Sequence, residues 1–334
     1  MNRHEEQALI GESPGFLEVL ERVSRVAPLN KPVLIVGERG TGKELIAARL
    51  HYLSVRWDMP FVKLNCAALA ESLLETELFG HEAGAFTGAV RRRFGRFELA
   101  NQGSLFLDEL ANTSQRIQEK VLRVIEYGEF ERVGSSETIK TDVRIIGATN
   151  EDLPALAKEG KFREDLLDRL AFDVITLPPL RERPEDVLPL AEHFAVRMAG
   201  ELGQKLFPGF AESARNRLLS YPWPGNVREL KNVVERAVYR NADPEEEIIK
   251  IDLDPFASPW RPLSKGSRES LPASALPSSS FDFKQHIQAI EIIMLTEALK
   301  HCKYNQRKTA EYLQMTYHQL RGYLRKYDLG DLDE

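Results

Sequence analysis

The sequence predicts an α/β domain built on a mostly parallel sheet, followed by a helical domain and a C-terminal all-α domain. Three observations lead to this prediction. Residues 8–177 alternate short apolar runs with amphipathic helical patterns, which is typical of a parallel sheet flanked by helices. From residue 178 to about 250 the apolar runs stop, while helical patterns continue. Residues 255–280 are then rich in proline and serine, and a last helical segment follows them.

We therefore divide the chain into an α/β domain (1–177), a helical domain (178–250), a flexible linker (251–280) and a helical C-terminal domain (281–334). In the second part the clearest helical patterns cover 186–202 and 227–239. Five short apolar runs are the candidate strands of the sheet: Val33–Val36, Phe61–Asn65, Ser104–Leu107, Val143–Thr149 and Phe172–Thr176.

The composition excludes several classes of protein. With 334 residues, of which 43% are hydrophobic and 29% charged, the chain is long enough for two or three domains with their own cores. It has no apolar run of membrane-spanning length and no signal-peptide pattern, and its two cysteines, Cys66 and Cys302, lie far apart. These features predict a cytoplasmic protein without membrane insertion. The net charge of −6 means that any contact with nucleic acid must be local.

A glycine-rich loop after the first strand predicts a nucleotide site. The strand ends at Val36 and a helical pattern begins at Leu45, which is the context in which a GxxxxGK motif is informative. In such a loop, backbone N–H groups and the helix N-terminus hold phosphates, and the lysine reaches the terminal ones. We therefore predict that the chain binds a nucleoside triphosphate through Gly37, Glu38, Arg39, Gly40, Thr41, Gly42, Lys43 and Glu44.

Two consecutive acids end the third strand. Beside a phosphate loop, this strand would place Asp108 on a magnesium ion and Glu109 on the attacking water. The pair favours hydrolysis over binding alone, because a metal ligand and a general base are separate tasks. Glu44 stands where most such loops place a Ser or Thr on the metal. We also assign the segment before the pair to the nucleotide site: Ala100, Asn101, Gln102, Gly103, Ser104, Leu105, Phe106 and Leu107.

Three further residues suit contact with phosphate. Thr149 and Asn150 end a buried strand, where they could sense the terminal phosphate. Arg228 lies in the first turn of a helix, where the helix dipole disfavours a cation, and this suggests contact with phosphate. A solvated arginine is an equal alternative at this position.

Two arginines lie six residues apart on an acid-rich segment. If the segment faces a neighbouring subunit, Arg163 or Arg169 could act as an arginine finger. Spacing alone favours a surface helix with paired charges, for instance Arg163 with Asp168.

A short loop between the second strand and the acidic strand narrows the function. Two glycines bracket an Ala-Phe-Thr tip and interrupt an otherwise helical region. A phenylalanine at such a tip has little to bury against in its own subunit, so it is a candidate contact for a partner. A plain flexible turn is the alternative. The residues of the loop are Gly84, Ala85, Phe86, Thr87, Gly88 and Ala89.

Together these elements resemble the AAA+ ATPases, and the loop is similar to the GAFTGA loop of the bacterial enhancer-binding proteins that activate sigma-54 RNA polymerase. The resemblance covers almost the whole chain. It implies an ATPase domain with a helical lid, ATP and Mg²⁺ as cofactors, and a homo-oligomer that forms a hexameric ring when active. It also implies that ATP hydrolysis moves the loop and so converts closed promoter complexes to open ones.

The same resemblance implies a role for each matching residue. Lys43 would hold phosphate, and Asn65 would restrain Glu109 until the partner is engaged. The segment 125–144 would be a hairpin inserted before the first sensor. The other implied roles are the metal and water residues Asp108 and Glu109, the first sensor Thr149 and Asn150, the fingers Arg163 and Arg169, the second sensor Arg228, and the sigma-factor contacts Phe86 and Thr87.

Two short helical patterns near the C-terminus predict a helix-turn-helix, over 305–313 and 317–327. Between residues 300 and 327, seven basic residues stand against a single acid, Glu311, and this local reversal of charge suits DNA. A solvated basic helix pair is the alternative. The arrangement resembles the Fis-type helix-turn-helix of the same family, with Gln314 in place of the usual turn glycine. Candidate DNA contacts are Arg307, Lys308, Thr316, Tyr317, His318, Gln319, Arg321 and Arg325.

An apolar stripe precedes this motif and could pair two subunits. Paired subunits predict a palindromic site on double-stranded DNA. The stripe consists of Phe283, Ile287, Ile290, Met294 and Ala298.

The ATPase begins near residue 8, which leaves no room for a sensing domain in front of it, so we expect control in trans by a separate negative regulator. One candidate contact for that regulator is Trp57, as an exposed interface anchor; a half-buried Trp that packs its own domain is an equal alternative. Two other functions compete with this interpretation. The loop 84–89 argues against an AAA+ replication initiator, and Glu109 with the arginine pair argues against a repressor whose nucleotide only sets its oligomeric state.

Overall fold

The computed structural model describes residues 9–241, 243–256, 282–302 and 304–327. The chain forms two compact units, one up to Phe256 and one after it. Most of the predicted linker 251–280 lies outside the described residues; its first six residues belong to the first unit.

The first unit is built on a five-stranded parallel sheet with the strand order β2-β3-β6-β1-β7. The remaining two strands form a separate antiparallel hairpin, within the predicted insertion 125–144. The prediction of a mostly parallel α/β sheet is confirmed. The last strand starts two residues later than predicted, because residues 171–173 form the turn after the preceding helix. The strands are β1 (Val33–Val36), β2 (Phe61–Asn65), β3 (Ser104–Asp108), β4 (Glu129–Glu131), β5 (Thr138–Lys140), β6 (Arg144–Thr149) and β7 (Val174–Thr176).

Because the five strands are parallel, their carboxyl ends meet at one edge of the sheet. Asn65 is paired with Asp108 across β2 and β3, and Val36 with Thr149 across β1 and β6. The glycine-rich loop after β1, the acids at the end of β3 and the polar residues at the end of β6 therefore share this edge, where α/β folds bind their ligands.

Helices cover both faces of the sheet. Alternate side chains of β3 show this, since Leu105 and Leu107 are buried in one apolar cluster and Phe106 in another. The helices of this part are α1 (Pro14–Val26), α2 (Lys43–Tyr52), α3 (Glu71–Phe79), α4 (Arg96–Leu99), α5 (Gln115–Tyr127), α6 (Leu153–Lys158) and α7 (Glu164–Leu170).

A helical lid follows β7. It begins with two short 3-10 turns, Leu180–Glu182 and Pro184–Asp186, and its apolar core lies between the first and last of its α-helices. The helical patterns predicted at 186–202 and 227–239 are confirmed to within one residue at each end. The helices are α8 (Val187–Glu201), α9 (Glu212–Ser220) and α10 (Asn226–Arg240).

The second unit contains α11 (Phe283–His301), α12 (Gln306–Tyr312) and α13 (Tyr317–Lys326). The backbone of Gln314 has φ +52°, in the left-handed region that favours glycine, so the turn forms with glutamine in that place. None of the helices in the described part of the chain has the length and apolarity that crossing a bilayer requires. The core of the unit is formed by Leu295, Leu299, Ala310, Leu320 and Leu324.

Candidate nucleotide site and interaction surfaces

The glycine-rich loop joins β1 to α2 as predicted. Gly40 and Gly42 have φ values of +80° and +101°, and α2 begins at Lys43, so the loop turns directly into a helix N-terminus. The Lys43 ammonium folds back into the loop, where it donates to the carbonyl oxygens of Gly37 at 2.9 Å and Glu38 at 3.4 Å. Burial lowers the pKa of Lys43, while the carboxylates of Glu109 and Asp108 oppose this shift. The loop is therefore shaped for an anion.

A cavity of about 600 Å³ opens between this loop and the lid. On the core side it is lined by the loop and by the carboxyl ends of β2 and β3. On the lid side it is lined by α8 and α10, and apolar residues from 9 to 16 contribute to the wall. Phosphate-binding, acidic and apolar surfaces thus meet in one space, which suits a nucleotide. Predicted site residues that line it include Gly40, Lys43, Asn65, Asp108, Glu109 and Arg228.

The two acids differ in how they are held. One oxygen of Asp108 accepts from the backbone N–H of Glu109 at 3.0 Å, and the other lies 3.4 Å from the amide nitrogen of Asn65. Glu109 has a left-handed backbone, with φ +54°, and its side chain has different partners from that of Asp108. Its carboxylate lies 4.0 Å from Nε of Arg39 and contacts the side-chain amide of Asn150; the orientation in which the NH₂ group donates satisfies both groups.

The expected contact between Asn65 and Glu109 is therefore absent from the described structure, and Asn65 contacts Asp108 instead. The physical reason is the strand register, which sets Asn65 directly beside Asp108. The switch role implied by the family resemblance stays a prediction.

Of the two predicted sensor residues at the end of β6, Asn150 is the one that reaches an acid of the pair, Glu109. Thr149 is fully buried, and its hydroxyl accepts from the backbone N–H of Glu151 at 2.9 Å. Arg228 lies at the start of α10 on the cavity wall, close enough to affect the pKa of Lys43.

The segment from Ala100 to Leu107 does not line the cavity in the described structure, although the sequence assigned it to the nucleotide site. Gly103 lies at the opposite end of β3, where a Cβ atom would come within 2.0 Å of the Pro60 carbonyl oxygen. Gln102 donates its backbone N–H to Asp142, also at that end. The strand then runs through the core, so its residues up to Leu107 are buried before the chain reaches the site. The affected residues are Ala100, Asn101, Gln102, Gly103, Ser104, Leu105, Phe106 and Leu107.

The two candidate finger arginines belong to the α7 region and, among the described residues, do not line the cavity. Arg163 pairs with Asp165 at 2.7 Å, and Arg169 pairs with Glu126 at 2.7 Å. The suggested pair of Arg163 with Asp168 is wrong, because Arg163 precedes the helix and reaches the first turn instead. Action on a nucleotide would require a neighbouring subunit.

The loop 84–89 projects as expected. Gly84 and Gly88 have φ values of +81° and +100°, and the loop is closed by a hydrogen bond from the N–H of Gly84 to the carbonyl of Ala89 at 2.8 Å. Phe86 is 46% exposed, and its ring packs edge-on against that of His81, with 5.0 Å between the ring centroids. The base of the loop contacts the segment of the β4–β5 hairpin through the N–H of Glu82, which donates to a hairpin carbonyl at 3.1 Å.

Trp57 lies in an exposed apolar group after α2. Its side chain is 63% exposed, and its sequence neighbours Tyr52 at the end of α2, Leu53 and Val55 are also exposed. The alternative of a half-buried tryptophan is therefore excluded. The buried Arg56 ties this surface to the sheet, since it donates to the carbonyl oxygen and the carboxylate of Asp142.

In the second unit, the predicted DNA-contact residues lie on α12, on α13 and at the cap between them. A capping box begins α13, in which Thr316 and Gln319 exchange hydrogen bonds. The side chain of Gln319 is thus held by Thr316. All eight predicted residues are exposed: Arg307, Lys308, Thr316, Tyr317, His318, Gln319, Arg321 and Arg325.

Sequence reasoning missed the lid residues that contact the glycine-rich loop. Arg181 pairs with Glu38, Arg183 donates to the carbonyl oxygen of Thr41 at 3.3 Å, and Asn226 donates to Glu38 and to the carbonyl of Arg39. No local pattern marks these contacts, because they depend on how the lid lies on the core.

Comparison with known protein families gives three matches in the same order along the chain. Residues 9–176 match the sigma-54 interaction domain, residues 181–259 the AAA+ ATPase lid domain, and residues 287–327 the bacterial regulatory proteins of the Fis family. The chain belongs to the sigma-54 activators. Members of this family carry an AAA+ ATPase domain and a DNA-binding helix-turn-helix, and the AAA+ fold predicted from the sequence is confirmed.

Individual relatives agree with this assignment. The chain is 56% identical to the Psp operon transcriptional activator of Escherichia coli K12 over 96% of this chain and 98% of that protein. It is 44% identical to the Nif-specific regulatory protein of Azotobacter vinelandii over 94% of this chain and 58% of that protein. Among solved structures, NtrX from Brucella abortus in complex with ATP superposes with a TM-score of 0.70 at 33% identity, covering 97% of this chain and 70% of that one.

Proposed function

We propose that this sigma-54 activator binds DNA upstream of a promoter and uses ATP hydrolysis to convert closed complexes of sigma-54 RNA polymerase into open ones. One observation carries the proposal: Lys43, the acidic pair and Arg228 surround a single cavity, although they come from separate parts of the sequence. The high identity with the Psp operon activator favours the phage shock operon as the target. A protein that acts on bacterial DNA and polymerase works in the cytoplasm, which is the location we propose.

The donor set of the cavity fits Mg²⁺–ATP. Asp108 offers carboxylate oxygens, which Mg²⁺ prefers, whereas the Glu44 carboxylate is already paired with Lys63 at 2.9 Å. Asp108 would hold the metal, which would neutralise charge on the phosphates when bound. Glu109 would orient and deprotonate the attacking water once it leaves Asn150 and Arg39, and Lys43 would exchange its carbonyl partners for phosphate oxygens. Arg228 would contact phosphate from the lid.

Arg163 and Arg169 would complete the site of a neighbouring subunit in a hexameric ring. Each arginine is now in a partly exposed ion pair, with Asp165 and Glu126 respectively, and such pairs cost little to exchange. A finger supplied in trans would make hydrolysis depend on assembly.

Phe86 and Thr87 would contact the sigma factor. Phe86 is an aromatic side chain held away from the core of its own subunit, and such side chains are common anchors of interfaces. The base of the loop is hydrogen-bonded to the segment of the β4–β5 hairpin, so a movement of the hairpin on hydrolysis would also move the loop.

The helix-turn-helix would read a palindromic site on double-stranded DNA as a pair of subunits. Phe283, Ile287 and Met294 are exposed on α11, whereas Ala298 is buried, so the part of the stripe before Ala298 is available for pairing. We further propose that a negative regulator resembling phage shock protein A binds the exposed surface around Trp57.

The test is a cross-linking and ATPase experiment on the full chain. A photoreactive amino acid in place of Phe86 should cross-link to sigma-54 when ADP and aluminium fluoride mimic the transition state, and much less with ADP alone. ATP hydrolysis without any cross-link would contradict the polymerase-remodelling function. A replication initiator would give that result, whereas a repressor whose nucleotide only sets its oligomeric state would show neither hydrolysis nor a cross-link; the family matches favour neither alternative.

A further inference from the structure

We propose that Asn226 is a positioning residue for ATP hydrolysis, acting as a clamp that holds the glycine-rich loop and the lid in one arrangement. This inference rests on the proposed function, because it concerns the same cavity. The clamp comprises Glu38 on the loop side and Arg181 and Asn226 on the lid side.

Asn226 uses every hydrogen-bonding group of its side chain to join three segments. Its carbonyl oxygen accepts from the N–H of Leu180 at 2.8 Å, and its NH₂ group donates to Glu38 at 3.0 Å and to the carbonyl of Arg39 at 3.1 Å. The residue is fully buried, so water does not compete for these bonds.

The backbone of Asn226 is held in an unusual conformation. Its φ is +53°, a left-handed value at the first residue of a helix, which asparagine tolerates better than most residues. The N–H of Asn226 donates to the carbonyl of Trp223 at 2.8 Å, which fixes this turn. Strain of this kind persists where surrounding contacts determine the conformation, and it is common at functional sites.

Glu38 is bound from two sides. Arg181 donates to its two carboxylate oxygens at 2.8 and 2.6 Å, in the bidentate geometry that gives charge-assisted bonds their strength. These bonds and the one from Asn226 lower the pKa of Glu38 to about 2. The carboxylate is therefore charged at any pH at which the protein works.

The backbones of the loop and the lid also touch. A Cβ atom on Gly40 would lie 2.3 Å from the carbonyl oxygen of Gly225, and the N–H of Arg228 donates to the carbonyl of Gly40 at 3.3 Å. Arg228 follows Asn226 by two residues. The clamp thus fixes the start of the helix that carries Arg228 against the loop that carries Lys43.

A rotation of the lid must therefore either move the glycine-rich loop or break these bonds. In this arrangement, lid closure and phosphate positioning are one event. Loss of the clamp should lower kcat more than it raises KM for ATP, since the loop can still enclose a nucleotide but no longer holds it against Arg228.

The test compares Asn226→Asp with the double variant Glu38→Gln, Asn226→Asp in the full chain, by kcat and KM for ATP. Aspartate keeps the shape of asparagine but sets a second carboxylate against Glu38 and loses the bond to the Arg39 carbonyl. In the double variant, the glutamine amide at position 38 can donate to the aspartate at position 226, which restores that bond with donor and acceptor exchanged. We expect the single variant to lose about tenfold in kcat with less than about threefold change in KM, and the double variant to recover part of the loss.

A matched pair of variants separates the clamp from general weakening of the lid. Arg181→Gln removes one ion pair of the clamp, and Arg240→Gln removes a pair within the lid, with Asp252, of similar length and exposure. Only Arg181→Gln should lower kcat. This pair decides the matter if Asn226→Asp proves unstable in thermal unfolding.

Three results would contradict these proposals. A normal kcat in Asn226→Asp would overturn the clamp, and so would equal effects of Arg181→Gln and Arg240→Gln. An unmodified chain that hydrolyses no ATP would instead overturn the proposed function, and this inference with it.

Discussion

The nucleotide cavity and the loop 84–89 are built on opposite principles. Lys43 in the cavity wall and Asn226 against the glycine-rich loop are buried, and each of them is held by at least two hydrogen bonds. In the loop, Phe86 is half exposed, and among the described residues no heavy atom beyond the adjacent ones lies within 4 Å of a Cβ placed on Gly84 or Gly88. The difference suggests that the chemistry requires a fixed site, whereas the contact with the partner requires an accessible tip on a permissive backbone.

Lys43→Ala should give the largest effect, because it removes the function of the nucleotide cavity. The variant loses the cation that the glycine-rich loop encloses, so ATP hydrolysis should fall by about 100-fold or more. A phosphate-release assay measures this, and the cross-link from the loop to sigma-54 should disappear with it. Hydrolysis within a few-fold of the parent would show that the cavity is not the catalytic site.

Phe86→Ala should impair the loop 84–89 and leave the nucleotide cavity intact. The affinity for sigma-54 with the transition-state mimic should fall by about 30-fold or more, as expected for an aromatic anchor, while hydrolysis should change less than about twofold. Binding by native gel and ATPase activity are measured on one preparation. Similar losses of sigma-54 affinity and of ATPase activity would mean that the loop and the cavity do not act independently.

Two glycine substitutions sharpen the comparison, since Gly40 and Gly88 both have positive φ. Alanine at Gly40 would bring its Cβ to 2.3 Å from the Gly225 carbonyl oxygen, so the lid must shift and hydrolysis should fall by about tenfold. Alanine at Gly88 meets no neighbour and costs only the left-handed strain of about 1–2 kcal/mol. It should spare hydrolysis and weaken the sigma-54 contact. Equal ATPase rates in the two variants would contradict this assignment.

Thr316→Ala tests whether the DNA-binding unit is independent of both regions. Loss of the capping box should destabilise this unit by about 1 kcal/mol and weaken DNA binding several-fold, without changing ATP hydrolysis. Thr296→Ala is the matched control, because its hydroxyl donates to the carbonyl of Ile292 within α11, at 2.8 Å, and takes no part in the cap of α13. DNA affinity measured by fluorescence anisotropy should fall more in the first variant than in the second.

The smallest effect concerns pH. The pKa of Glu38 is lowered to about 2 from an ordinary value of 4.5, so its stabilising contribution is fully present above pH 4.5 and is lost as pH falls toward 2. The difference in melting temperature between the parent and Glu38→Gln should therefore be constant from pH 8 to about pH 5 and shrink below it. A difference that changes between about pH 8 and 6 would contradict the charged clamp.

The sequence predicted the parts of the site that local patterns encode. A strand, a glycine-rich loop and a helix are adjacent in the chain, so the position of Lys43 could be predicted, as could Asp108 and Glu109 at the end of an apolar strand. Parallel strands then required these parts to meet at one edge. A turn near Gln314 could also be placed from the spacing of the two helical patterns, whereas its left-handed backbone is seen only in the structure.

The rest of the site depends on contacts between distant segments. The pairing of Asn226 with Glu38 spans 188 residues and requires the lid orientation, which no local pattern contains. The contact of Asn65 with Asp108 follows from the strand register. The segment 100–107 was assigned to the site because it leads into the acids, but a strand crosses the domain, and so its beginning lies far from its end.

The central claim is that hydrolysis in the cavity drives the loop against the polymerase. The most direct measurement is open-complex formation by sigma-54 RNA polymerase on a promoter with an upstream site, with purified full-length protein and either ATP or a non-hydrolysable analogue. We predict that the parent protein forms open complexes with ATP but not with the analogue. The Phe86→Ala variant should form none with either nucleotide. Equal yields with both nucleotides would contradict the account.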